Sequence, residues 1–140
     1  MYPSMRNRTI IAVVIVLLIV GAESGFLTHK TWVYIRNDLP GFDLTVHCKS
    51  KNDDLGVQVL ASQQYFRFHF YPNLGGSTLF FCSFQWTNAF HWFDVYSEGR
   101  DYERCFNCIW SVRPDGPCLY NRNTGQYDLC SPWNPPPSSN

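Results

Sequence analysis

One segment of the chain decides its fold: Tyr65-Phe66-Arg67-Phe68-His69-Phe70-Tyr71. Phenylalanine occupies every second position, and polar or amphipathic side chains occupy the positions between. Successive side chains of a β-strand point to opposite faces, so this order places three rings on one face. A helix would scatter the same rings around its surface. The segment therefore predicts a strand with a core face, on which each fully buried Phe contributes roughly 1.5–3 kcal/mol.

The same alternation recurs along the chain and predicts six further strands. They are Trp32 to Arg36, Leu44 to Cys48, Val57 to Leu60, Leu79 to Trp86, Phe90 to Tyr96 and Cys108 to Val112. Turn-forming residues separate them, at Leu39-Pro40-Gly41, Pro72 to Gly76, Pro114-Asp115-Gly116 and Asn123-Thr124-Gly125. About seven to eight short strands at this spacing predict an all-β fold, an antiparallel two-sheet β-sandwich. We expect one domain, over residues 25–130.

Both ends of the chain are predicted to lie outside that domain. Arg6 and Arg8 precede an uninterrupted apolar run from Ile10 to Val20, and small residues follow it. This order is typical of a secretory signal peptide, here residues 1–24, with cleavage after Ala22 or Ser24. The apolar run is well short of the roughly 20 residues that a membrane-spanning helix needs. Residues 131–140 are rich in Pro, Ser and Asn and are predicted to be disordered.

Composition excludes several classes of protein. Of the 140 residues, 45% are hydrophobic, which is too many for a disordered chain. Eleven basic side chains balance eleven acidic ones, so there is no net positive charge to favour a nucleic-acid binder or a membrane-lytic protein. We expect no nucleic-acid partner, and no stable membrane insertion once the signal is removed.

The chain has six cysteines, an even number, and all of them follow the predicted signal. In a secreted chain of this size they predict three disulfides. Strand faces favour the pairs Cys48–Cys118 and Cys82–Cys108, which leaves Cys105–Cys130. The C-x-x-C from Cys105 to Cys108 could also be a redox pair or half of a zinc site, but it lacks a βαβ context and a second pair of ligands.

No segment carries a catalytic signature. The chain has no G-x-S-x-G, no H-E-x-x-H and no glycine-rich phosphate loop. We therefore expect a protein that is not an enzyme and needs no cofactor. The charged stretch Lys49-Ser50-Lys51-Asn52-Asp53-Asp54 fits no EF-hand spacing and is interpreted as a loop between strands.

Taken in order, the motifs of the chain resemble one family of proteins. The motifs are His47 to Gly56, Phe66-Arg67-Phe68, Thr78 to Trp86, Phe93 to Tyr96, Arg100-Asp101, Cys105 and Cys108 with Trp110, and Asp115 to Cys118. This combination closely resembles the plant self-incompatibility protein homologues, small secreted relatives of a stigmatic ligand. The resemblance extends from about Thr31 to Trp133.

The resemblance implies a disulfide-bonded β-sandwich without enzymatic activity, secreted into the apoplast. Founding members of the family are extracellular ligands whose receptor on pollen triggers rejection of self pollen. By analogy, this chain is expected to be a signalling or recognition ligand for a cell-surface receptor protein. Its expected contacts are the hydrophilic loops, namely Lys49, Ser50, Lys51, Asn52, Asp53 and Asp54, and the segment from Asn73 to Ser77.

Two alternatives remain open from the residues themselves. The loop from Lys49 to Asp54 could be no more than a solvated turn. The chain could also be a secreted carbohydrate- or lipid-binding module that uses Tyr65, Tyr71 and Trp92 as a stacking platform.

Overall fold

The strands form two β-sheets packed face to face, and burial alternates residue by residue along strands such as those from Thr31 to Asn37 and from Leu44 to Lys49. The computed structural model describes residues 29–73 and 75–136, so the predicted signal peptide lies outside the described residues. In this part of the chain there are nine strands: β1 (Thr31–Asn37), β2 (Leu44–Lys49), β3 (Asp54–Leu60), β4 (Tyr65–Phe70), β5 (Leu79–Trp86), β6 (Ala89–Ser97), β7 (Asn107–Arg113), β8 (Gly116–Asn121) and β9 (Gln126–Cys130). One short helix, α1 (Glu98–Asp101), follows β6.

The strands form a five-stranded sheet in the order β4-β1-β7-β8-β9 and a four-stranded sheet in the order β3-β2-β5-β6. Neighbouring strands are antiparallel, except that β1 and β7 are parallel. The predicted all-β sandwich and its seven proposed strands are confirmed. The sequence patterns did not identify β8 and β9, nor the parallel pair.

The core lies between the sheets and is built mainly from aromatic and branched side chains. Phe68 on β4 is buried and lies 5.0 Å, centroid to centroid, from Phe80 on β5 of the facing sheet. Trp110 on β7 is completely buried, and its indole N–H donates to the carbonyl oxygen of Val95 on β6 (2.8 Å). A buried Trp needs such a partner for its one donor. The alternation of the aromatic segment therefore does produce the cross-sheet packing that the sequence predicts.

All six cysteines form disulfides, but the predicted pairing is wrong. The observed pairs are Cys48–Cys82, Cys105–Cys108 and Cys118–Cys130. Two of these bonds join residues that lie directly opposite each other on neighbouring antiparallel strands, β2 with β5 and β8 with β9. Strand faces alone cannot reveal which strands are neighbours, and sheet order determines both pairs. The C-x-x-C closes on itself as the third disulfide.

The predicted disorder from Ser131 onward is wrong for residues 131–134, while residues 137–140 lie outside the described part of the chain. The Ser131 N–H donates to the Pro117 carbonyl (3.0 Å), and the Trp133 indole N–H donates to the Pro114 carbonyl (3.0 Å). The Trp133 ring stacks on His91 of β6 at 4.8 Å. This segment therefore crosses from the five-stranded sheet to the edge of the four-stranded one.

Gly116 begins β8 at a point where the chain leaves no room for a side chain. Its φ is +147°, and a Cβ atom there would overlap the carbonyl oxygen of Ser131. We predict that Gly116→Ala lowers the free energy of unfolding by about 2–3 kcal/mol and displaces the C-terminal segment. Gly99→Ala is the control, because a Cβ at that position meets nothing within 4 Å. Chemical denaturation measures both variants, and equal stabilities would contradict the predicted overlap.

The disulfides close loops of very different length. Removing them is therefore expected to lower the free energy of unfolding by different amounts. Cys48 and Cys82 are 34 residues apart, whereas Cys105 and Cys108 are 3 apart. Because longer loops lose more entropy on closure, Cys48→Ala/Cys82→Ala should cost about 3–4 kcal/mol and Cys105→Ala/Cys108→Ala roughly 2 kcal/mol or less. Denaturant unfolding of the two double variants tests this order, and the reverse order would refute it.

Candidate functional site

The first predicted recognition loop is a tight turn between β2 and β3. The Ser50 N–H donates to the Asp53 carbonyl (2.8 Å), and the Asp53 N–H donates to the Ser50 Oγ (3.1 Å). These two bonds hold Lys51 and Asn52 at the exposed tip. Lys49 and Asp54 are instead strand residues that face each other across the β2–β3 pair. The free loop is thus Ser50 to Asp53, narrower than the sequence suggested.

Asp54 anchors the base of this turn. One of its carboxylate oxygens, Oδ1, accepts from the Gly56 N–H (2.9 Å) and lies 2.7 Å from the His47 ring nitrogen Nε2. Gly56 has φ +78°, a left-handed conformation that a side chain would strain. The Gly56 N–H, and after it the His47 ring, lower the pKa of Asp54 below its ordinary value. The Asp54 carboxylate, through its contacts with the Gly56 N–H and the His47 ring, therefore holds the β3 side of the turn.

The second predicted loop, between β4 and β5, is held by a chain of hydrogen bonds. The Asn73 N–H donates to the Thr78 Oγ1 (2.7 Å), and the Gly76 N–H donates to the Asn73 carbonyl (3.2 Å). Thr78 is bonded twice to Glu98, through its N–H to the Glu98 Oε2 (2.9 Å) and through its carbonyl to the Glu98 N–H (3.0 Å). The loop is thus tied to the first residue of α1.

Helix α1 is itself fixed by a buried carboxylate. Asp101 has no exposed side-chain surface, and it accepts hydrogen bonds from the Ser97 N–H (3.0 Å) and from two Arg100 nitrogens (2.9 and 2.7 Å). A buried charge is tolerated when it is paired and hydrogen-bonded in this way. Sequence reasoning missed the anchoring role of Glu98. The only signal for it was the cluster of charges directly after β6.

The two loops meet at one end of the sandwich and border an open cleft of about 480 Å³. Residues Ser50 to Asp53 form one rim, and Asn73, Ser77 and Thr78 form the other. Aromatic side chains of β4 and β5, among them Phe70 and Phe80, lie between the rims. The cleft therefore combines polar edges with an apolar floor, an arrangement suited to holding a protruding apolar group.

The structure does not assemble the stacking platform suggested by the sequence. Tyr65 begins β4 and Tyr71 follows its other end, while Trp92 lies on β6 in the other sheet. All three are exposed, but they do not share a surface.

The described residues contain neither a membrane-spanning helix nor a cluster of metal ligands. None of the helices in the described part of the chain is long and apolar enough to cross a membrane. The same residues contain no group of three or more His, Cys, Asp or Glu side chains that could hold a metal ion.

Comparison with known proteins shows the family. The family model described as "Plant self-incompatibility protein S1" matches residues 32–133, which include both loops, α1 and the three disulfides. The chain belongs to the plant self-incompatibility protein S1 family. The resemblance seen in the sequence motifs is therefore confirmed.

Individual family members are closely similar to this chain. S-protein homolog 5 of Arabidopsis thaliana is 48% identical over 103 residues, covering 74% of this chain and 77% of that protein. S-protein homolog 20 of the same plant is 49% identical over 105 residues, covering 73% and 75%.

A solved structure of a self-incompatibility protein homologue has the same fold. The two structures align with a TM-score of 0.53 at 22% identity, over 77% of this chain and 97% of that one. That protein is described as one of a widespread family of small, highly stable, secreted proteins from plants. At this identity the comparison supports the family's β-fold for this chain.

The contact between Asp54 and His47 gives a prediction for acid titration. Because the pKa of Asp54 is lowered, its contribution to stability is present above the ordinary carboxyl value of about 3.9 and is lost as the pH falls through the lowered value. We expect His47→Ala to raise the pKa of Asp54 only part of the way, because the Gly56 N–H remains. Carboxyl NMR measures both values, with His69→Ala on the other sheet as control. An Asp54 pKa at or above its ordinary value in the unmodified protein would contradict the contact.

Proposed function

We propose that this protein is secreted to the apoplast and acts as a ligand for a cell-surface receptor protein, which it contacts through the cleft between its two loops. The predicted signal peptide at residues 1–24 and the three disulfides support export to an oxidising compartment. The description of the homologous solved structure as a secreted protein agrees with this proposal.

The observation that carries the proposal is the meeting of two loops that are distant in sequence. The β2–β3 turn and the β4–β5 loop border the same cleft, and each is fixed by hydrogen bonds rather than left loose. Loops held by a rigid sheet framework are a common location for recognition sites. Because these hydrogen bonds already hold the described residues of both loops, association loses less conformational entropy.

The chemistry of the cleft indicates the kind of contact. Lys51 and Asp53 place opposite charges on one rim, while Phe70 and Phe80 form part of an apolar floor. Protein interfaces typically place a few apolar or aromatic anchors in pockets and surround them with polar groups. We therefore expect an apolar side chain of the receptor to occupy the floor, and the rim charges to select the partner.

We further propose that the cleft binds without catalysis. Its described lining contains serine and threonine hydroxyls but no histidine or cysteine. The Thr78 hydroxyl already accepts the Asn73 N–H, and the Ser50 hydroxyl accepts the Asp53 N–H. Both hydroxyls therefore have structural roles, and the carboxylate of Asp53 in the described lining forms no hydrogen bond with either of them.

Exchanging the rim charges tests the proposal. Lys51→Glu/Asp53→Lys preserves net charge and leaves the paired residues Lys49 and Asp54 intact. Fluorescently labelled protein should bind saturably to plant protoplasts, whose wall polysaccharides have been removed. We expect the double variant to bind roughly ten-fold or more weakly, since each desolvated charge contact is worth on the order of 1.5–3 kcal/mol.

The matched control is Asp115→Lys/Arg122→Glu, an exchange at two exposed turn residues that do not line the cleft. The control should bind as the unmodified protein does, and both double variants should keep its unfolding temperature. Binding that survives mild protease treatment of the protoplasts would refute a protein receptor. Equal binding by the rim variant and the unmodified protein would refute the cleft as the contact surface.

A further inference from the structure

The outward face of the five-stranded sheet carries a row of aromatic rings that the cleft does not use. β1 and β4 pair so that Trp32 lies opposite His69 and Tyr34 lies opposite Arg67. Ring centroids are 4.6 Å apart for Trp32 and His69, 6.2 Å for Trp32 and Tyr34, and 5.9 Å for Tyr34 and Tyr65. The four rings thus form a continuous strip across two strands.

Two cations converge on one ring of this strip. The Lys30 Nζ lies 5.1 Å from the Trp32 ring centroid, and the Arg67 Cζ lies 4.9 Å from it. The strip and these two cations, namely Lys30, Trp32, Tyr34, Tyr65, Arg67 and His69, are called the aromatic-basic face below. Each cation is attracted to the face of the ring, but the two positive charges repel each other.

Neither cation is neutralised. Within the described residues, Lys30 and Arg67 form no ion pair with a carboxylate. By contrast Arg36, the next basic residue along β1, pairs with Asp38 at 2.9 Å. A chain whose charges balance overall therefore concentrates unpaired positive charge at one aromatic surface. Such a surface is complementary to an anion.

We propose that the aromatic-basic face binds an acidic polysaccharide, a polymer of uronic acid residues. Lys30 and Arg67 pair with its carboxylates, and the exposed Tyr65 ring, together with Trp32 and Tyr34, packs against its sugar rings. Side chains two apart on a strand repeat every 6.6–6.8 Å or so, and Trp32 and Tyr34 on β1 therefore offer successive ring surfaces to a polymer of sugar rings. The tyrosine hydroxyls and His69 add hydrogen-bonding groups at the edges of the rings.

The structure favours this partner over other anionic chains. Single-stranded nucleic acid also binds aromatic rings flanked by cations, but the three disulfides indicate an oxidising compartment outside the cell. Acidic peptides that recognise a sheet usually add to its edge, whereas these rings and cations lie on its face. None of the six residues of the aromatic-basic face lines the loop cleft. The two surfaces can therefore be occupied independently.

Calorimetric titration of the folded, disulfide-bonded protein with oligogalacturonate tests the proposal. We expect saturable binding that weakens as salt is added, and no binding of the fully methyl-esterified oligomer, which has the same rings without the charges. Lys30→Glu/Arg67→Glu should weaken binding on the order of ten-fold or more. Lys51→Glu/Arg122→Glu changes net charge equally at sites away from this face and should weaken binding far less.

Ring contacts are tested separately from charge. Tyr65→Ala removes a ring that is 58% exposed, so the fold should survive while affinity for oligogalacturonate falls several-fold. Trp32→Ala should abolish binding, with its unfolding temperature measured in parallel.

Four results would overturn the proposal: no binding of oligogalacturonate, equal binding of the esterified oligomer, tighter binding of single-stranded RNA, or equal losses in the two charge-reversal variants. The test of polysaccharide binding and the test of receptor binding can succeed or fail separately. Lys51→Glu/Asp53→Lys should retain oligogalacturonate affinity, and Lys30→Glu/Arg67→Glu should retain binding to wall-free protoplasts.

Discussion

The complete burial of Trp110 between the two sheets is the constraint on which the rest of the structure depends. Its indole N–H reaches the Val95 carbonyl on the facing sheet, and the Phe93 ring meets it edge-on at 4.9 Å. A buried indole keeps its donor satisfied only when the facing strand has one particular register. Val95 lies close to the end of β6, after which α1 begins at Glu98. Through Glu98, α1 in turn fixes the loop on one side of the cleft.

The strands could be predicted from sequence wherever one face is buried and the other faces solvent. That condition holds for β1 and β2, whose burial alternates residue by residue. It fails for β8, where residues Gly116 to Leu119 are all buried, because the C-terminal segment packs against the strand at Ser131. Two of the three disulfides, Cys48–Cys82 and Cys118–Cys130, could not be predicted because they depend on which strands are neighbours. Sheet order is a property of long-range pairing, and period-two patterns do not contain it.

The candidate site, like the fold, could be predicted in its local features but not in its long-range contacts. The charged stretch after Cys48 could be identified as a loop, but its free part shrinks to Ser50–Asp53 once Lys49 and Asp54 pair across the hairpin. The meeting of this turn with the second loop depends on the two strand pairs β2–β5 and β5–β6. The convergence of Lys30 and Arg67 on one ring depends on the β1–β4 register in the same way. Local sequence identifies the chemical groups, and topology brings them together.

The parallel pairing of β1 with β7 has a consequence for how the chain folds. β1 lies inside its sheet, between β4 and β7, and Trp32 is paired with Asn107 near the far end of the domain. During synthesis β1 can therefore pair with β7 only after nearly the whole domain has been made, and until then one edge of β1 has no partner strand. An antiparallel hairpin can form as soon as its two strands exist, whereas this sheet cannot be completed until late. Until β7 is inserted, the open edge of β1 is prone to mispairing with other strands.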